Sequence, residues 1–320
     1  MSKIGLGTAA IGRPLYINIK DVKQSEPFDL VKFKKAGEEL LDFAYAKGIR
    51  ILDTAPGYGL AEDLVTQWLK KSKITDVAVS SKWGYTYVAD FSATAIEHEV
   101  KEHSLAKLNE QWEVTKELLP SINLYQIHSA TLDTKVLENK EVLKRLHELK
   151  ITHNIKMGLT TTGTNQLEVM RLAMGIEVEH EPLFDSFQVT YNVFDQSIAE
   201  WIGASSDSYR DDRKIIVKEA LANGRVFPNV HRYPQYAAHY ELLLELSKKY
   251  AVGVDAVALR FCMDSINSDI VLSRASNKQQ LSENLQGYNF VLTEEEVARI
   301  RTLKVVPEGD WSERKKLEWN

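Results

Sequence analysis

Four side chains in the first half of the chain could deliver a proton to a carbonyl oxygen: Asp53, Tyr58, Lys82 and His128. A phenol has an ordinary pKa of about 10 and releases its proton reluctantly at neutral pH. A lysine ammonium beside it favours the phenolate and lowers that value. A carboxylate near the lysine keeps it charged and in place, and a neutral histidine can donate to a carbonyl oxygen and orient it. Tyr58, Lys82, Asp53 and His128 fit those roles in that order. The set suits protonation of a carbonyl oxygen as hydride arrives at its carbon. None of the four can carry a hydride, so the chemistry needs a cofactor. Taken singly, three of them have a plainer use: Asp53 as a helix cap, Tyr58 as loop packing, His128 as a satisfied structural histidine.

The elements around these residues place them together. The apolar run Ile51-Leu52 stops on Asp53, and Thr54-Ala55-Pro56-Gly57-Tyr58-Gly59 follows. An apolar run ending on an acid before Pro-Gly reads as a strand end and its loop. The next helix buries Leu64, Val65, Trp68 and Leu69. Asp76–Lys82 and Ile122–His128 are two further strands that end on an ionisable residue. Strand patterns also cover 4–10, 155–159, 186–190, 214–218 and 269–273, with helical periodicity between them. Helices are expected over 29–47, 166–174, 237–250, 256–264 and 278–285, with Val142, Leu146 and Leu149 marking another. Val100, Ser104, Leu108 and Trp112 predict a long helix, and Thr293-Glu294-Glu295-Glu296 a capping box. Eight strand–helix units without a composition break predict one (β/α)₈ TIM barrel, an α/β fold forming a single domain over 1–320. A doubly wound sheet is the alternative. Its nucleotide fingerprint fails, because Gly5-x-Gly7 is not completed as GxGxxG. In a barrel the strand ends converge on one face, so Asp53, Lys82 and His128 meet there.

Composition narrows the function classes. At 320 residues, 44% hydrophobic and 27% charged, this is an ordinary globular chain. The formal net charge of -5 argues against nucleic acid or an anionic membrane as partner. One cysteine, Cys262 in an apolar helical run, excludes an internal disulfide and reads as a buried inert thiol. HExxH, CxxC, acidic calcium-loop and GxSxG patterns do not occur, so no metal and no serine nucleophile is expected. No leader pattern opens the sequence and no apolar run reaches membrane-spanning length, which makes the cytoplasm the expected compartment. His98, His103 and His147 lie in helical patterns and read as solvated.

The chain resembles the aldo-keto reductases, and nearly its whole length carries the resemblance. Asp53-Thr54-Ala55-x-x-Tyr58-Gly59 with Glu62 is similar to that family's most recognisable motif, and Gly5-Leu6-Gly7-Thr8 to its first strand. Lys82 and His128 stand where the third and fourth tetrad members are expected. The resemblance implies a (β/α)₈ barrel that binds NADPH, less often NADH, without a Rossmann domain. It implies cofactor contacts at Gly7, Thr8, Thr160, Thr161, Gln188, Lys218, Leu221, Arg274, Ser276, Gln280, Glu283 and Asn284. The matches are uneven: Thr161 stands for the usual Asn, Lys218 for a frequent aromatic, Ala220 for a proline and Gln280 for a frequent arginine. A cation at Lys218 would disfavour an oxidised nicotinamide unless Glu219 draws it away. Trp83 and Tyr85 are candidate walls for the substrate, with Tyr191 and the Trp201 region as further ones. The substrate expected is a small carbonyl compound or a sugar. Oxidation of an aldose and a cofactor-sensing subunit are the alternatives, and an intact tetrad speaks against the sensor.

Overall fold

The computed structural model describes residues 2–15, 28–92, 94–199, 201 and 212–319. Residues 16–27 and the stretch after Trp201 lie outside them. Twelve strands occur among the described residues: β1 (Lys3–Gly7), β2 (Ile51–Asp53), β3 (Ala78–Trp83), β4 (Tyr85–Tyr87), β5 (Glu99–Lys101), β6 (Ile122–Ala130), β7 (Lys156–Thr161), β8 (Glu177–Val178), β9 (Glu181–Pro182), β10 (Ser186–Thr190), β11 (Lys214–Lys218) and β12 (Ile270–Ser273). Eight of them close a barrel in the order β1-β2-β3-β6-β7-β10-β11-β12, every pair parallel. β4–β5 and β8–β9 are antiparallel hairpins outside it.

The helices are α1 (Ala9–Gly12), α2 (Leu30–Ala46), α3 (Ala61–Ser72), α4 (Leu105–Thr115), α5 (Lys140–His153), α6 (Gln166–Met174), α7 (Ala237–Tyr250), α8 (Val254–Ser265), α9 (Lys278–Leu285), α10 (Glu294–Arg301) and α11 (Pro307–Lys315). None is long and apolar enough to cross a membrane. Their starts follow from local chemistry. Asp29 caps α2, Ser104 α4, Asn139 α5 and Asn277 α9, and Thr293 with Glu296 forms the expected capping box on α10. One expected helix is corrected. Val100 belongs to β5 and Ser104 is the cap of α4, so the periodicity through Val100 joined a strand to a helix.

Side-chain alternation divides the barrel. Leu6, Leu52, Val79, Tyr125, Ile127, Leu159, Phe187, Val189, Val217 and Val271 join the helices in the main apolar core. Leu124, Ile216, Leu272 and Ile270 form a separate small cluster on the other set of positions, filling the barrel. Further toward the C-terminal strand ends that interior set becomes polar: Asp53, Lys82, Gln126, His128, Gln188 and Lys218. In α8, Cys262 is fully buried, and its thiol donates to the Tyr191 carbonyl.

Gly12 fixes how the Tyr58 loop meets α1. A Cβ there would lie 2.0 Å from the Tyr58 carbonyl oxygen and 2.5 Å from the Ala61 side chain. Both obstacles are backbone-anchored, so neither can swing away. Gly12→Ala is therefore expected to destabilise the protein by about 1–3 kcal/mol, the range for overpacking, and to displace Tyr58. Thermal unfolding together with turnover checks this. A variant with native stability and native turnover would show that the loop gives way freely.

Candidate active site

The site forms where β2, β3 and β6 end. Lys82, fully buried on β3, donates to Asp53 Oδ2 at 2.5 Å and to the Thr54 carbonyl at 3.0 Å. Its Nζ lies 4.8 Å from the centre of the Tyr58 ring. Asp53 Oδ1 accepts from Ser80 at 2.6 Å and from the Gln188 amide at 2.9 Å, so the carboxylate is held by three donors. The Tyr58 hydroxyl stands 3.5 Å from His128 Nε2. Structure therefore gathers all four residues that sequence singled out.

Burial lowers the Lys82 pKa, and Asp53 and the more distant Glu62 oppose that by favouring the ammonium. Glu62 lies behind the lysine, taking hydrogen bonds from Ser81 and Thr115, and its own burial raises it to about 7. Burial also pushes His128 well below the usual imidazole range, with Lys82, Arg13 and Lys218 adding repulsion. His128 is accordingly a neutral imidazole at physiological pH, suited to donate a hydrogen bond. His103 supports it by donating from Nε2 to the His128 carbonyl at 2.9 Å. Its burial takes His103 down to about 4. His98 is buried and stacked on Trp319 at 4.3 Å, and His147 is buried on α5. The expectation of solvated histidines is thus replaced by packed ones: His98 and His103 flank β5 outside any helix, against Trp319 and Trp83, and His147 lies on the inward face of α5.

A cleft of about 1040 Å³, its open mouth included, runs from Asp53 and Tyr58 to Glu283 and Asn284. Gly7, Gln188, Lys218, Leu221, Arg274 and Gln280 line it between those ends. Of the other expected cofactor contacts, Thr8, Thr160, Thr161 and Ser276 do not line it. The Thr8 hydroxyl donates to the Asp53 carbonyl, and Thr160 Oγ1 accepts from Ser129 N–H. Thr161 donates to Gln166, and Ser276 gives both its N–H and its hydroxyl to Gln280 Oε1. Asn284 donates to Asp255 and accepts from Ser273, which sets its orientation at the cleft's far end.

The loop after β11 borders the middle of the cleft. Glu219, Ala222 and Asn223 take positive φ angles of 57°, 46° and 56°. Such left-handed turns curl backbone N–H groups inward into an anion-binding concavity. Among the described residues the N–H groups of Ala220 and Leu221 have no hydrogen-bond acceptor. Helix α11 holds this loop. Arg314 makes a two-pronged pair with Glu219, and Arg225 binds Asp310 at 2.7 Å in full burial. Burial alone would raise Glu219, but Arg314 and Lys218 hold it at about 2. Lys218 donates to Thr190 Oγ1 at 2.7 Å and lies 3.8 Å from Glu219, so it is drawn toward the loop's acid.

The expected substrate walls divide. Tyr85 on β4 sets its ring edge-on to His128 at 4.7 Å. Trp83 is corrected: it is fully buried in the main core against His103. Tyr191 is corrected too, being stacked on Phe261 with its hydroxyl bound to Ser265. Trp201 packs half-buried on the main core. Sequence reasoning missed Arg13 and Trp319. Arg13 is buried, pairs with Glu99 at 2.7 Å and lies over both the Tyr58 and Trp319 rings. No motif surrounds either residue; only the fold brings positions this far apart together.

Comparison with known proteins agrees with this geometry. The model of the aldo/keto reductase family matches residues 3–304. The aldo-keto reductase YhdN of Bacillus subtilis is 24% identical over 94% of this chain and 89% of its own length. The aldo-keto reductase str7 of Strobilurus tenacellus is 23% identical over 95% and 89%. Among solved structures, the glycerol dehydrogenase AKR11B4 of Gluconobacter oxydans superposes with a TM-score of 0.69 at 22% identity, covering 94% of this chain and 90% of that one. The holo form of aldo-keto reductase AKR11C1 from Bacillus halodurans gives 0.67 at 21% identity, covering 95% and 92%. A closed parallel barrel, four polar side chains gathered at its mouth and a family match over nearly the whole length lead to one conclusion: the chain belongs to the aldo/keto reductases, nicotinamide-dependent oxidoreductases acting on carbonyl groups.

Proposed function

We propose that this protein reduces an aldehyde or ketone to the alcohol, with Tyr58 as proton donor and NADPH preferred over NADH by a modest factor. The observation that carries the reading is the burial of Lys82 between Asp53 and the Tyr58 ring, with the phenol hydroxyl facing a neutral His128. The bound nicotinamide supplies the hydride. The cleft fits it: Gln188 lines the tetrad end, the loop beside its middle carries N–H groups without an acceptor among the described residues, and Asn284 closes the far end.

His128 donates to the carbonyl oxygen and turns it toward the phenol. Tyr58 gives its proton to that oxygen as negative charge grows there. Lys82 stabilises the phenolate left behind, and Asp53 keeps the ammonium from turning away. Tyr58 then takes its proton back from solvent. The test is steady-state turnover of aldehydes, ketones and free sugars with each nicotinamide, in both directions. Turnover confined to sugar oxidation, or no turnover with either cofactor, would overturn the reading.

NADPH carries a 2′-phosphate that needs a cationic partner. Arg274, just past β12 and lining the cleft, offers a guanidinium of matching geometry. The preference is modest because Gln280, uncharged, already takes both Ser276 donors. Arg274→Ala is expected to weaken NADPH by about 1.5–3 kcal/mol, the range for a hydrogen bond to a charged group, and to leave NADH nearly untouched. Titration of both cofactors by tryptophan fluorescence quenching checks it. Equal losses for both, or tighter NADH binding in the native protein, would remove Arg274 from the assignment.

A further inference from the structure

The β4–β5 hairpin carries a lysine that the chemistry above does not use. Lys101 pairs across the hairpin with Tyr85, and its ammonium stands 5.7 Å from the centre of the Tyr85 ring. That ring is the one set edge-on to His128. One phenol therefore separates Lys101 from the group expected to orient the substrate carbonyl. Lys101 is half-buried, yet among the described residues it has neither an ion pair nor a hydrogen-bond acceptor. Its two nearest acids do not satisfy it. Glu99 is committed to Arg13 at 2.7 Å, and Asp133 is exposed and forms no ion pair among the described residues. A half-desolvated ammonium without a counter-ion is costly, and proteins rarely keep one unless something fills the gap.

We propose that Lys101 receives an anionic group of the substrate, a carboxylate or a phosphate ester carried a few bonds from the carbonyl that His128 and Tyr58 hold. This deepens the reading of the site as a carbonyl reductase and rests on it. Tyr85 is then the floor between two polar anchors, covering the carbon chain that joins carbonyl and anion. Arg13, which with Lys82 lies over the Tyr58 ring, is already engaged with Glu99, the Gly57 carbonyl and the Trp319 ring. A neutral aldehyde would meet the same catalytic groups but leave the ammonium unanswered, so the site discriminates by charge.

The groups facing the lysine set its pH range. Burial lowers Lys101 to about 8, while Asp133 and Glu99 favour its ammonium. His103, which Lys101 repels, is already neutral, as is His128. The ammonium is present below about pH 8 and is lost above it, so the preference for an anionic substrate should fade between roughly pH 7 and 9.

The experiment measures kcat/KM for matched pairs: 4-oxobutanoate against butanal, and glyceraldehyde 3-phosphate against glyceraldehyde. The native protein is expected to prefer the anionic member of at least one pair, which also tells carboxylate from phosphate. Lys101→Met should cost that member about ten- to hundredfold more than its neutral partner, through KM, as for loss of a charged contact. Lys101→Arg should restore most of the preference and abolish its fading near pH 8, since arginine stays charged. Equal losses within both pairs, or a native protein that takes the neutral members as well at pH 7, would overturn the assignment of Lys101 while leaving carbonyl reduction intact. No turnover of any of the four compounds by a protein that reduces another aldehyde or ketone would likewise overturn the assignment of Lys101, whereas no turnover across the wider panel of aldehydes and ketones would overturn the reductase reading itself.

Discussion

Tyr58→Phe should lose between about 10² and 10⁴ of carbonyl turnover, the span attributed to a positioned proton donor, and keep its cofactor affinity. The variant removes one hydroxyl and leaves the ring. That ring is buried, in contact with Ala9, Ala55 and Ala61, and still lies over Lys82. The change is therefore chemical rather than structural. The hydroxyl's neighbour, His128 Nε2 at 3.5 Å, stays in place to orient the carbonyl. Binding of substrate and cofactor should persist while the rate of the chemical step falls. Steady-state rates on any substrate of the native protein, with cofactor titration alongside, decide the matter. Near-native turnover would mean that the proton comes from elsewhere, and His128 would become the candidate acid.

The second large effect belongs to Lys82. Replacing it by methionine keeps a long apolar stem in a fully buried slot and deletes the charge. Without the ammonium the phenolate loses its stabiliser, so the apparent pKa of the catalytic acid should rise and the turnover should drop. The reductive rate, which needs the protonated phenol, should then hold to higher pH than in the native protein although its plateau is lower. Removing one partner of a buried pair costs about 3–5 kcal/mol when the other is left uncompensated. Here Asp53 keeps Ser80 and Gln188 as donors, which limits the damage. Asp53→Asn should do less harm to the rate than Lys82→Met, since it weakens the placement of the charge without deleting it. An active Lys82→Met protein with an unchanged pH–rate profile would exclude the lysine from proton transfer.

How much of this was legible beforehand depends on the range of each interaction. The barrel was readable because each strand–helix unit writes its own signal: an apolar run, a polar end, a periodic helix. The convergence of Asp53, Tyr58, Lys82 and His128 was readable because three of them lie at or near strand ends, and a barrel collects strand ends whatever their order. Trp83 shows the limit. It directly follows Lys82, and adjacency suggested the cleft, but alternation turns neighbouring strand residues to opposite faces, so Lys82 points in and Trp83 points out. Thr8, Thr160, Thr161 and Ser276 have the right chemistry in the right segments, yet the hydroxyl oxygen of each engages another group of the protein rather than facing the cleft. Arg13, Trp319 and the clamp of α11 on the loop after β11 rest on contacts between segments far apart in sequence. The hydrogen bonds from Arg314 to Glu219 span 95 positions, and nothing local in either stretch announces the other. The β4–β5 hairpin was hidden for a different reason: its second strand ends two residues before the cap of α4, and Val100 falls in phase with that helix.

The placement of Cys262 has a consequence for how the protein meets oxidants. Disulfide exchange and peroxide oxidation both proceed through the thiolate. Burial raises the Cys262 thiol far above its ordinary value, and its hydrogen points at the Tyr191 carbonyl. The chain has no other sulfhydryl. Thiol–disulfide exchange therefore has no reactive sulfhydryl to act on, and thiol-directed alkylating reagents should find none in the folded protein. A cysteine placed on any exposed position would be the only reactive sulfhydryl in the folded protein, a ready handle for a spin label or a fluorophore.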